Sequence, residues 1–227
     1  WNLGGQYHGG WWQQINEELR KHILIDGNRT CEVDFSGFHI ALAYAMEYSE
    51  PPSEPYILET LMEGFSMKRQ RDDVKLLALT ALNAESQKAA FAAFRDIRNR
   101  DQRKLKAKDK ISYTDKILKD WLGQFSDRHS RIKRYLCSDK GVELMAVDGN
   151  ITTKIIEHFT EMNAPILTVH DSYIVTSGYE DTLSKVMQKA VETETHVRGF
   201  AMKNDHKFQF QRLTTFQNMD PLWNYYS

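Results

Sequence analysis

The sequence predicts an α+β fold, a small antiparallel sheet carrying a mostly helical insertion. Three observations lead there. Ile166–Thr176 holds two runs of β-branched and aromatic residues that meet at a polar tip, His170-Asp171-Ser172, the pattern of a hairpin. Thr30–Gly37 reads as a second short strand, ending in a carboxylate at Asp34. The coarse order (strand, helices, hairpin, helix, strand) contains no internal repeat, low-complexity tract or flexible linker.

In chain order, the opening Gly4-Gly5-Gln6-Tyr7-His8-Gly9-Gly10-Trp11-Trp12 is rich in glycine and aromatic rings. It fits backbone running close to another surface with rings free to stack, or an ordered loop packed over the core by its tryptophans. The chain begins at Trp1 rather than Met, so a processed product or a fragment, with an N-terminal region of the same protein missing, is expected. Residues 29–34 form the strand bearing Asp34. Gly37 then turns the chain into a buried helical run, Phe38–Met46, which Pro51, Pro52 and Pro55 break. Residues 56–98 read as helices. On one of them Arg71, Lys75, Leu79 and Leu82 share a face at i, i+4, i+8 and i+11. That cation pair suits a polyanion lying along the face, or else is two snorkelling surface residues. Residues 95–134 are basic, with Tyr113, Trp121 and Phe125 interleaved. Gly141 opens a long helix through Ala146, Ile151, Ile155, Ile156 and Phe159, and the hairpin follows Pro165. A helix over Asp181–Val197 and an alternating strand over Lys207–Gln211 close the chain. Three segments result: 1–54, 55–138 and 139–227.

With 227 residues and 41% apolar content the chain fits one large domain or a domain with a sizeable insertion. Net charge is −1, but its distribution is uneven. Residues 95–134 hold 14 Lys and Arg against 6 Asp and Glu, a net of +8, which leaves −9 on the rest. A phosphate-backbone track beside a carboxylate metal site has that distribution, and so does a solvated helix surface. The track candidates are Arg95, Arg98, Arg103, Lys104, Lys106, Arg128 and Arg131. No apolar run of about 18 residues is present, so no membrane span is expected, and no signal-peptide pattern is visible. Cys31 and Cys137 lack C-x-x-C spacing, which argues against zinc or a disulfide framework and for buried thiols in a reducing, cytoplasmic setting.

Two strand-borne aspartates, a basic helical pair and a basic segment together propose metal-assisted phosphoryl chemistry. Asp34 and Asp171 would hold two divalent ions about 3.5–4 Å apart. Mg²⁺ is the expected ion, with Mn²⁺ as a substitute, and Lys75 and Arg71 would neutralise a triphosphate.

The order and spacing of these residues resemble the palm and fingers of family A DNA polymerases and the related single-subunit RNA polymerases. Asp34-Phe35-Ser36-Gly37 resembles motif A, Arg71-Asp72-Asp73-Val74-Lys75 motif B, and Val169-His170-Asp171-Ser172 motif C. Asp148-Gly149-Asn150 through Ile156 resembles the palm helix before motif C, and Gln13-Gln14-Ile15 a Gln-Asn-Ile stretch upstream of motif A. The resemblance implies a reduced polymerase palm with fingers, extending a DNA primer-template with nucleoside triphosphates. It implies Asp34 and Asp171 as metal ligands, with the backbone carbonyl of Phe35 as a further one. Arg71 and Lys75 would contact the triphosphate, Lys75 would also protonate the leaving pyrophosphate, and His170 would orient the hairpin or touch the primer end. It further implies a bacterial, plasmid or phage setting. Several positions depart from the family. Leu79 and Asn83 stand where motif B has an aromatic residue and a Tyr, His39 stands where the DNA enzymes have a gating Glu, and Gln6 stands where an Arg is expected. Ser172 follows the RNA polymerase branch. His39 favours DNA synthesis; RNA or primase-like synthesis, a two-aspartate nuclease, an HD-type phosphohydrolase and a catalytically silent nucleic-acid-binding palm stay open as alternatives.

Overall fold

Alternation sets the sheet. In the computed structural model, which describes residues 7–197 and 202–204, the strands are β1 Leu24–Ile25, β2 Asn28–Phe35, β3 Ile166–Val169, β4 Ser172–Thr176 and β5 Met202–Asn204. All pairings are antiparallel, in the order β1-β2-β4-β3. β5 pairs with the last residues of β2, Val33 to Phe35, while β1 pairs with its first two. The fold is α+β, as the sequence predicts. The strand expected over 207–211, and Gly4, Gly5 and Gln6, lie outside the described residues.

The described residues divide into two compact units, one within 39–147 and the other from 7–38 together with the chain from 148 onward. The second unit holds the sheet. Along β2, Cys31, Val33 and Phe35 are buried while Glu32 and Asp34 are only partly covered, the period of two expected of a strand. Their buried face meets Tyr173 and Val175 of β4. α7 (Glu180–Thr195) packs against β2 and buries Leu183, Met187 and Val191, while α6 (Gly141–Glu161) carries a buried apolar stripe, Ile151, Ile155 and Phe159. The Tyr173 hydroxyl lies 2.8 Å from Thr152 Oγ1 of α6, and Phe35 stacks on Phe38 at 4.4 Å. The opposite face is closed by the N-terminal segment, which includes the one-turn helix α1 (Glu17–Arg20). Trp12 and Ile15 pack on Ile23, Val169 and Ile174, and Trp12 Nε1 donates to the Thr168 carbonyl at 2.9 Å. Trp12 thus packs over the core, while Trp11 is exposed. α7 ends where His196 enters the left-handed region (φ 58°) and its N–H closes on Glu192, two residues before the expected end.

The 39–147 unit is helical: α2 (Phe38–Met46, entering from the other unit), α3 (Met67–Leu82), α4 (Gln87–Asp101) and α5 (Asp115–Arg128). Ser66, Ser86 and Thr114 cap the last three, each side chain accepting from a backbone N–H three residues on. Three expectations are corrected here. Residues 56–66 are turns and bends rather than helix; three prolines precede them, and Gly64 sits at φ 84°. Leu82 does not share the outward face of α3. It is 1% exposed, because the Cys137 N–H donates to Ala81 O (2.6 Å) and the chain near Gly141 passes so close that a Cβ there would lie 2.3 Å from the Leu82 carbonyl oxygen. Tyr113, Trp121 and Phe125 are core residues rather than rings interleaved among surface cations. Among the described residues no helix is long and apolar enough to cross a membrane.

Candidate active site

The hairpin sequence places a carboxylate at a tight bend. Val169 pairs with Ser172, leaving His170 and Asp171 as a two-residue turn. His170 takes φ 53°, a left-handed conformation that glycine usually fills in such turns and that histidine tolerates better than most residues. Asp34 stands directly across from Ser172, and the Phe35 N–H donates to the Asp171 carbonyl at 3.2 Å. Adjacent strands run about 4.8 Å apart, so the register brings the backbones of Asp34 and Asp171 together at one end of the sheet. Both carboxylates line a single cleft of about 220 Å³.

The walls of the cleft include residues without motif status. Glu32 and Ser172 share its floor with the two aspartates, and Gln13, Glu17 and Arg20 come from the N-terminal segment. Arg20 forks onto Glu32, Nε to Oε2 at 2.9 Å and Nη2 to Oε1 at 3.1 Å, and also donates to the Ile15 carbonyl at 3.2 Å. Ser172 Oγ lies 2.5 Å from Glu32 Oε1 and 3.1 Å from the Val169 carbonyl. With one proton to give, the hydroxyl donates to the nearer carboxylate. Gln13 Nε2 donates to the carbonyls of Tyr7 and Thr168, both at 2.9 Å, fastening the N-terminal loop to β3. Sequence period alone puts Glu32 on the face of Asp34; Arg20 gives no comparable local signal.

A smaller recess adjoins the turn, lined by Tyr7, His8, Asp148, Thr152, Thr168 and His170. Tyr7 Oη lies 2.9 Å from Thr153 Oγ1, and the His8 and His170 rings meet edge-on at 6.5 Å. Asp148 is 2% exposed there. Burial drives the Tyr173 phenol well above its ordinary range; its bond to Thr152 acts the other way, and the charges of Asp148 and Asp171 add to the rise. That hydroxyl therefore stays protonated behind the cleft.

The remaining candidates lie in the 39–147 unit. Arg71, Lys75, Leu79 and Asn83 run along the outward stripe of α3 and its cap. Arg71 pairs with Asp72 at 3.2 Å, Lys75 Nζ stands 6.0 Å from the centre of the Tyr56 ring, and Asn83 Nδ2 donates to the Leu79 carbonyl. His39 is the second residue of α2, half-buried. The basic candidates divide into two groups. Arg95 is tied to Asp115 and to the Tyr113 carbonyl (2.8 Å). Arg98 is tied to the buried Asp73 (2.7 Å), which also receives Arg69 and the Tyr113 hydroxyl. Arg103, Lys104, Lys106, Arg128 and Arg131 are exposed.

As a cation site, the cleft offers the carboxylates of Asp34 and Asp171, with Glu17 and His170 also in its lining and Glu32 already engaged by Arg20 and Ser172. Among the described residues no three His, Cys, Asp or Glu side chains gather into a closed metal cage. That donor set does not fit zinc, which takes four nitrogen, sulfur or oxygen ligands in structural sites and three in catalytic ones. It fits Mg²⁺, which keeps several waters and is bound through one or two carboxylates together with substrate phosphates.

No family model matches the chain, and no curated protein sequence matches it. Among solved structures it is similar to the POL domain of Pol1 from M. smegmatis in complex with DNA primer-template and dNTP, at 10% identity and a TM-score of 0.38. The similarity covers 80% of this chain and 40% of that one.

Proposed function

We propose that the cleft is a nucleotidyl-transfer centre, which adds nucleotides to a primer 3′-end on a nucleic-acid template. The observation that carries this is the pairing of Asp34 against Ser172, with Asp171 one residue away, so that both carboxylates line a single open cleft. In this reading Asp34 and Asp171 hold Mg²⁺, with the Phe35 carbonyl as a further donor. Bound there, the metal supplies charge neutralisation for an in-line displacement at phosphorus. The chain's own part is placement. Strand β2 holds the Asp34 carboxylate and the tight turn between β3 and β4 holds that of Asp171, so a 3′-hydroxyl and the α-phosphate of a nucleoside triphosphate meet in one geometry. The hydroxyl oxygen forms a bond to phosphorus, the bond to pyrophosphate breaks, and the hydroxyl proton passes to solvent. Arg71 and Lys75 are assigned to the triphosphate, with Lys75 giving a proton to the leaving pyrophosphate. His170 is assigned to the primer end and His39 to sugar selection, which leads to DNA as the product.

Primer extension with Mg²⁺, comparing dNTPs with NTPs, tests this. The wild type is expected to extend with dNTPs, and Asp171→Asn to lose on the order of 100-fold or more in rate while still binding primer-template. Equal extension by wild type and Asp171→Asn, or none by a wild type that binds both Mg²⁺ and primer-template, would overturn it. Faster use of NTPs would move the product to RNA.

A further inference from the structure

We infer that Arg20, Glu32 and Ser172 form a clamp that sets Asp171 against Asp34. On the metal reading above, the clamp's geometry rather than its charge governs how tightly the cleft takes a divalent cation. Glu32 lies two residues before Asp34 on the same face of β2, and Ser172 directly follows Asp171. The Ser172–Glu32 bond therefore runs diagonally between strands, tying the exit of the turn to the strand that bears the other aspartate. Arg20 fixes the acceptor. Its fork engages both Glu32 oxygens, and the two side chains are only 15% and 12% exposed. A planar bidentate pair with so little solvent around it is held in one geometry, unlike an exposed ion pair. The turn needs such a restraint, because His170 is exposed and sits in a left-handed conformation. Asp171 has otherwise the Phe35 N–H on its carbonyl and the Val169–Ser172 pair beside it.

Two physical expectations for Arg20 have opposite signs. As a cation lining the cleft, it repels a second cation, so its removal should tighten divalent-ion binding. As part of the clamp, its removal lets Glu32 and then Ser172 swing, so binding should weaken. Groups that orient metal ligands typically matter by about 10–100-fold in affinity.

The test is an Mn²⁺ titration of the full chain without nucleotide or nucleic acid, following free Mn²⁺ by electron paramagnetic resonance. Wild type, Arg20→Ala, Arg20→Lys, Ser172→Ala and Asp171→Asn are compared, each with its thermal midpoint. Arg20→Ala and Ser172→Ala are expected to bind Mn²⁺ about 10–100-fold more weakly. Arg20→Lys, which keeps the charge and loses the fork, should also bind more weakly than wild type. Unchanged or tighter binding by folded Arg20→Ala or Ser172→Ala would overturn the clamp. Should Arg20→Ala not fold, Ser172→Ala removes a single oxygen and carries the same comparison with Arg20→Lys. Equal binding by wild type and Asp171→Asn would strike the metal reading itself, and the clamp with it.

Discussion

Neighbouring residues of β2 go to opposite faces, and their chemistry follows their face. Glu32 and Asp34 line the cleft, while Cys31, between Thr30 and Glu32, is 2% exposed in the core. Burial pushes the Cys31 thiol up to about 12, helped by the charge and hydrogen bond of Glu180 and opposed by backbone contacts. A thiol moved from an ordinary 9.0 to about 12 has its thiolate fraction near pH 8 cut by about 1000-fold. Cys137 is only half-buried, and burial raises its thiol as well. In the native protein at pH 8, a thiol reagent is therefore expected to modify Cys137 first and Cys31 only on unfolding, as mass spectrometry of timed samples will read. Native-state labelling of both at one rate would mean that β2 is slipped, since a shift of one residue exchanges the faces and would take Asp34 out of the cleft.

At the scale of elements, one helix end shows what a buried titratable group does. His129 caps α5, is 0% exposed and stacks on Phe125 at 4.1 Å. Its Nε2 lies 2.7 Å from the Pro55 carbonyl, which can only accept, so Nε2 carries the proton; Nδ1 of the neutral ring then accepts from the Tyr44 hydroxyl at 2.9 Å. Burial holds the His129 pKa below the ordinary imidazole value, with the Pro55 bond acting the other way and the charge of Arg128 adding to the fall. Below about pH 6.5 the unfolded chain thus binds a proton that the folded chain refuses. This contribution to stability is fully present above that pH and is lost as pH falls toward the folded value. Urea midpoints at pH 7.5 and 5.5 should drop more for the wild type than for His129→Gln; an equal drop would refute the neutral ring. The same scale explains what was legible in the sequence. The hairpin and β2 were readable because a strand's period of two is local, as were α2 and α6 from their apolar spacing. The partners of Arg95 and Arg98 were not, since Asp115 and the buried Asp73 lie 20 and 25 positions away. Nor was the Arg20–Glu32 fork, or the cover over Leu82. A charge pattern reports composition, and only folding decides which cations are already paired.

For the whole molecule the question is where a polyanion would meet the chain. Residues 39–147 hold 20 Lys and Arg against 16 Asp and Glu, a net of +4, which leaves −5 on the rest of the sequence. Within that unit Arg95 and Arg98 are spent on Asp115 and Asp73, so they offer little to a phosphate, whereas Arg103, Lys104, Lys106, Arg128 and Arg131 are exposed. If these exposed cations grip the template, binding must fall steeply with salt, because each neutralised phosphate releases condensed counterions. The logarithm of the primer-template association constant plotted against that of salt concentration should lose about one unit of slope for each contact removed. A Lys104→Ala, Lys106→Ala, Arg131→Ala triple variant is thus expected to bind more weakly at low salt and with a slope shallower by up to about three. Arg95→Ala should lower the unfolding midpoint and leave the slope unmoved. Fluorescence anisotropy of labelled primer-template from about 50 to 200 mM salt separates the two. A triple variant with the wild-type slope would take the template track off this surface while leaving the chemistry of Asp34 and Asp171 untouched, because those carboxylates bring no positive charge to the duplex.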